Sequence, residues 1–78
     1  MKKDEFYEKV TELLDLEDNT TLSETTDLRN FEEFDSLAIM SSVAFADQQF
    51  SRRLSGAQLN KVTTVGSLMD IIGREYFD

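Results

Sequence analysis

The sequence predicts an all-α domain, and three observations do so together. Apolar residues recur at helical spacing in three separate segments. No segment shows the apolar-polar alternation of a strand. The 78 residues include no Pro and only three Gly, so little interrupts a helix.

The first helix runs from Asp4 to Leu14, where Phe6, Val10, Leu13 and Leu14 recur with Glu5, Glu8, Lys9 and Glu12 between them. It ends near Asp15. The stretch "LEDNTTLSETTDLRNFEEF" holds no sustained period and is rich in Asn, Thr and Asp, so it reads as a long loop anchored to the core by Leu22, Leu28 and Phe31. Loops of this length are commonly functional. Asp35 is an N-cap residue type, and the apolar pattern resumes from Ser36 to Phe50 as a second helix without Gly or Pro. At about 100° per residue, Ile39, Met40, Val43, Ala46 and Phe50 share one face, with Leu37 and Ala44 at its edge. That face is the expected core side. The opposite face carries Ala38, Ser41, Phe45, Gln48 and Gln49. "SRRLSGAQLN" reads as a turn with one short helical turn over residues 57–60, which brings in Leu54 and Leu59. "TTVGSLMDII" then opens a last helix, capped by Thr63 or Thr64, with Val65, Leu68, Ile71 and Ile72 facing inward.

Length allows one domain over residues 1–78, and no apolar run is long enough to span a membrane. "MKKDEFYEKV" places acids directly after two lysines, which is not the pattern of a secretory signal, and a cytoplasmic, monomeric protein is expected. The net charge of −8 is unevenly placed. Residues 1–35 carry twelve acids against four bases, whereas residues 36–78 carry four of each. Such a field repels nucleic acid and anionic membranes and favours basic protein surfaces, although acids also simply keep a small domain in solution.

Composition removes several chemistries. With no Cys there is no disulfide framework and no thiolate metal site. With no His and few lysines, Ser36 has no evident base to activate it as a nucleophile, so an enzyme is not expected. The run Asp15, Glu17, Asp18, Asn19 offers oxygens but lacks the turn glycine and closing glutamate of an EF-hand loop. No metal site is predicted. What remains is a serine on the first turn of a helix, where the dipole and the unpaired backbone N–H groups favour an attached phosphate. Serine is also common there simply because it helps to start helices.

"FDSLAIM", followed by a helix ending in "QQF" and then by "LNKVTTVGSLMDII", resembles the acyl carrier proteins over nearly the whole chain. The resemblance implies a four-helix bundle with a short third helix and a long loop between helices 1 and 2. It also implies that Ser36 receives 4'-phosphopantetheine from coenzyme A through a separate, magnesium-dependent phosphopantetheinyl transferase. Acyl groups would ride on the arm as thioesters, with acyl-loading and acyl-transferring partner enzymes supplying catalysis. Asp35 and Leu37 are implied to contact the transferase and other partners. Val43, Ala46, Leu59, Val62 and Leu68 are the residues expected to line an acyl-binding interior, each equally explained as ordinary core.

The chain departs from that family in ways that point to a specialised pathway rather than housekeeping fatty acid synthesis. The outward face of the second helix lacks the usual acidic stripe, and Asp47 is the only acid between Ser36 and Phe50. Partner contacts are expected instead from Glu32, Glu33, Met40 and Phe45, with the acids steering and Phe45 anchoring a drier interface. Phe45 has a second reading, in which it folds back on the loop that holds Phe31 or Phe34. Glu33 and Phe34 stand where relatives often have a glycine, and Arg52 and Arg53 either complement the C-terminal dipole of the second helix or meet an acidic patch on a partner. The alternatives are a small acidic helical interaction module and a degenerate carrier that is no longer modified.

Overall fold

A computed structural model describes residues 1–17 and 19–77. It is all-α: α1 (Lys3–Leu13), α2 (Ser36–Phe50), α3 (Gly56–Leu59) and α4 (Val65–Ile72), with short 3-10 turns at Leu28–Asn30 and Arg74–Tyr76. Among the described residues the only extended pairing is an isolated bridge between Asp27 and Thr64.

α1 starts with Asp4 and Glu5 in its first turn, where negative charge complements the helix dipole, and it buries Phe6 and Val10. It stops as Asp15 turns into the left-handed region at φ 54°. The amide of Leu16 then donates to the Thr11 carbonyl at 3.0 Å, which closes the helix end.

The long connection between α1 and α2 is irregular but well anchored. Leu22 and Leu28 are buried and Phe31 is half-buried, with Leu16 and Phe34 as further buried anchors. Backbone bonds tie it to the end of the α3–α4 connection and the first turn of α4: Leu28 donates to Thr63 at 2.7 Å, Val65 to Thr26 at 3.0 Å and Gly66 to Glu24 at 2.8 Å. At Gly66 the approach is so close that a Cβ would stand 2.9 Å from the Glu24 carbonyl oxygen, which explains a glycine inside a helix. The Glu24 carboxylate meets Lys3 at 3.1 Å and Arg74 at 2.5 Å, and Arg74 also meets Asp70 at 2.6 Å. One loop residue therefore links both ends of the described chain.

α2 is buried on a different side from the one its apolar pattern suggests. Ala38, Ile39, Ser42, Ala46 and Phe50 are buried, whereas Met40 is 64% and Leu37 74% exposed. Relative to the expected face, the buried side is turned by roughly a sixth of a revolution at about 100° per residue. The reason is that α2 is apolar nearly all round, so its own pattern fixes its orientation weakly. α1 on one side and α3 on the other decide which residues are covered. The Ser42 hydroxyl tolerates burial because it donates to the Ala38 carbonyl at 2.8 Å.

α3 and α4 each begin with a capping box. Ser55 accepts from the Gln58 amide and Thr64 from the Ser67 amide, while the side chains of Gln58 and Ser67 bond back to the cap amides. Of the two threonines at the start of α4, Thr64 is the cap. α4 buries Val65, Leu68, Met69 and Ile72, while Ile71, expected to face inward, is half-buried and Met69 takes the core position. Arg52 Nε donates to the Ile72 carbonyl at 2.8 Å, so its side chain satisfies the C-terminus of α4 while its backbone amide closes α2 by donating to the Ala46 carbonyl at 3.2 Å. Gly73, at φ 127°, turns the chain away after α4.

Candidate functional site

The candidate site is the first turn of α2. Asp35 adopts extended backbone angles, and its carboxylate accepts from the Ala38 amide at 3.0 Å, satisfying one of the free donors at the helix start. Ser36 is the first helical residue and is exposed. Its hydroxyl therefore stands at the positive end of a helix of 15 residues, beside amides with no partner inside that helix. No histidine or cysteine exists anywhere in the chain to turn it into a nucleophile.

Around Ser36 the surface combines acid with uncovered apolar side chains. Glu32, Glu33 and Asp35 are exposed. Leu37 and Met40 are the two large hydrophobic residues left most open, and both lie on the first turns of α2. Met40 thus lies outside the core, against its expected place on the core face, and Leu37 lies well beyond the edge of that face. Beside them an open groove of about 250 Å³ runs between the end of α1 and the start of α2, lined by Leu13, Asp15, Glu33, Asp35, Leu37 and Ala38 among others.

The face expected to point outward is largely covered. Ala38 is buried and Ser41 half-buried, and only Gln48 and Gln49 of the five are exposed. Phe45 is half-buried, its ring 6.0 Å from Phe6 and 6.0 Å from Phe50. It therefore packs on α1 and the aromatic group at the far end of α2, and not on the loop around Phe31 and Phe34. Its remaining edge lines a surface cleft with Lys9, Glu12, Leu13 and Gln49.

The five residues expected to line an acyl-binding interior sit together on the core side. Ala46, Leu59 and Val62 are fully buried, Leu68 is nearly so, and Val43 is half-buried against them. None of the five lines the groove beside Ser36 or the cleft beside Phe45.

Two contributors to the site escaped the sequence pattern. Phe34, just before the cap, is buried, and the Arg29 guanidinium lies over its ring at 5.1 Å. Arg29 also donates through Nε to the Val62 carbonyl at 2.7 Å and through Nη2 to the Asn60 carbonyl. The signal available was the aromatic beside the motif, with Arg29 as the sole base between Lys9 and Arg52.

Of the acidic run considered for calcium, Asp18 lies outside the described residues. Arg53 is exposed. No described helix is long and apolar enough to cross a membrane. Comparison with family models, with curated proteins and with solved structures found no match.

Proposed function

We propose that the chain is an acyl carrier: a four-helix bundle whose Ser36 is the attachment point for 4'-phosphopantetheine, added by a separate phosphopantetheinyl transferase. The observation that carries the reading is the placement of Ser36, exposed on the capped first turn of a long helix in a chain that has no histidine and no cysteine. When bound, the arm supplies a thiol that holds acyl groups as thioesters. The chain's own residues supply the rest. Asp35 fixes the first turn, and the helix N-terminus favours the phosphodiester. Leu37 and Met40 offer a dry contact to partner enzymes, while Glu32, Glu33 and Asp35 steer basic surfaces toward it.

The cargo side follows from the same arrangement. Val43, Ala46, Leu59, Val62 and Leu68 form the apolar interior between α2, α3 and α4 into which part of an acyl chain would be drawn, at the cost of parting a packed core. Holding cargo on a flexible arm makes delivery into a docked enzyme effectively intramolecular. The scarcity of acids along α2, where Asp47 stands alone, fits partners of a specialised pathway in the cytoplasm better than those of bulk fatty acid synthesis.

The test is the intact mass after incubation with coenzyme A, magnesium and a broad-specificity phosphopantetheinyl transferase, with Ser36→Ala alongside. Gain of one phosphopantetheinyl group on the wild type and none on the variant is the expected result. If folded wild-type protein gains nothing with several transferases, the carrier reading fails, and the acidic interaction module or the unmodified relative replaces it.

A further inference from the structure

Between Lys9 and Arg52 the chain contains a single basic residue, Arg29. Glu32, Glu33 and Asp35 follow within a few positions, and charge alone would pair it with one of them. Among the described residues it forms no ion pair. Its guanidinium is committed elsewhere: Nε and Nη2 donate to the carbonyls of Val62 and Asn60, on the connection between α3 and α4, and its central carbon lies over the ring of Phe34, 5.1 Å from the centroid. Its own backbone amide is held by Asp27 Oδ1 at 2.9 Å. A guanidinium suits this arrangement because its fork of donors lies in one plane while its face stacks on an aromatic ring.

Phe34 immediately precedes the cap. The turn leading into α2 has few internal bonds, the Phe34 amide donating to Phe31 at 3.1 Å and the Asp35 carboxylate accepting from Ala38. No glycine shapes this turn. Its position against the rest of the molecule therefore depends on where the Phe34 ring is held, and Arg29 holds that ring from the outside while gripping a different segment.

From this we infer that Arg29 is a positioning residue for Ser36: it fastens the turn before α2 to the α3–α4 connection and so fixes where the serine hydroxyl is presented. The inference rests on the carrier reading for its functional consequence and on geometry alone for its structural one. A modest displacement of a reacting group is enough to slow a reaction substantially. Arg29 touches neither the hydroxyl nor the incoming group, and acts only through Phe34 and Asp35.

The experiment compares wild type, Arg29→Lys and Arg29→Gln under conditions where circular dichroism shows all three folded. Amide hydrogen exchange is followed at Phe34, Ala38 and Ile39, with the α4 amides of Leu68 and Met69 as reference. In Arg29→Gln we expect exchange at the three site amides to rise about tenfold while the α4 amides are unchanged, because the loss is local and not global. Arg29→Lys keeps the charge and one donor but loses the fork and the stacked plane, and should lie between the two. Steady-state transfer from coenzyme A by the transferase should show kcat falling several-fold in Arg29→Gln with little change in KM for the protein. Exchange that accelerates equally at both sets of amides, or not at all, overturns the positioning role. So does an unchanged kcat on a wild type that is itself modified. A wild type that no transferase modifies defeats the carrier reading instead, and the exchange data then still decide whether Arg29 fixes the turn.

Discussion

The two ends of α2 are built for opposite purposes. At its C-terminal end Phe50 joins Phe6, Phe45, Tyr76 and Phe77 in a group of aromatic rings whose centroids lie 4.8–6.5 Å apart. That end is dry and draws on α1, α2 and the last residues described. At the N-terminal end Asp35, Ser36, Leu37 and Met40 stand in the open, and only Phe34, Ala38 and Ile39 tie the turn inward. Burial is concentrated at the C-terminal end, and the proposed attachment point lies at the end where little is buried. Substitutions at the exposed end should therefore alter what the protein meets without altering whether it folds.

The largest effect that would test this contrast is Phe6→Ala. Phe6 is fully buried and pairs with three of those rings, Phe45, Phe50 and Phe77, and with Tyr7, and truncating a buried Phe costs about 3–5 kcal/mol. A domain this small has about that much in total. A urea titration should find the variant largely unfolded before denaturant is added; a cooperative transition near the wild-type midpoint would mean that the aromatic end is not the centre of stability. Phe45→Ala comes next, at about 1–3 kcal/mol for a half-buried ring, read from the same titration. A loss below about 0.5 kcal/mol would reassign Phe45 to the presenting surface.

Removing the cap, Asp35→Ala, should cost about 1 kcal/mol, with faster amide exchange confined to the first turn of α2. Leu37→Ala and Met40→Ala sharpen the comparison from the other side. Each should leave the free energy of unfolding within about 0.5 kcal/mol of wild type and, on the proposed carrier function, raise the transferase's KM for the protein. A clear loss of stability in either would show that the exposed end supports the core after all.

The smallest effect is expected with pH. Hydrogen bonding from Arg74, and then from Lys3, holds the Glu24 carboxyl below the usual glutamate range. Its folded value is thus lower than its unfolded one. The stability this contributes is present above the unfolded value and is lost as pH falls through the folded one. Melting curves of wild type and Glu24→Gln should differ slightly at neutral pH and converge in acid. Because the groups are exposed, moderate salt should shrink the difference too.

Much of this architecture was legible beforehand, and the reasons are local. α1 and α4 have apolar and polar residues well separated around the helix, and capping residues mark where α2, α3 and α4 begin. Ser36 could be placed from Asp35 and from the point where the apolar pattern resumes. The orientation of α2 could not, because nearly every side of it is apolar and its neighbours choose among them. On that account the pattern puts Ala38 on the surface and Met40 on the core face, whereas Ala38 is buried and Met40 is open, as its expected role in partner contact requires. Arg29 and Phe34 belong to no periodic segment, and their importance depends on carbonyls more than thirty positions away in the chain.

The bonds between the long connection and the start of α4 bear on how quickly the protein folds. Helices form locally and fast, so a helical chain of this size would ordinarily reach its native state in well under a second. Here Thr26 and Leu28 must find Val65 and Thr63, and joining them encloses the whole of α2 and α3 in one loop. That closure gains nothing until both strands of chain are in place, so its entropy weighs on the transition state. Closing that loop is then the step expected to limit folding, so that truncating Leu28 or Val65 should slow folding more than it speeds unfolding.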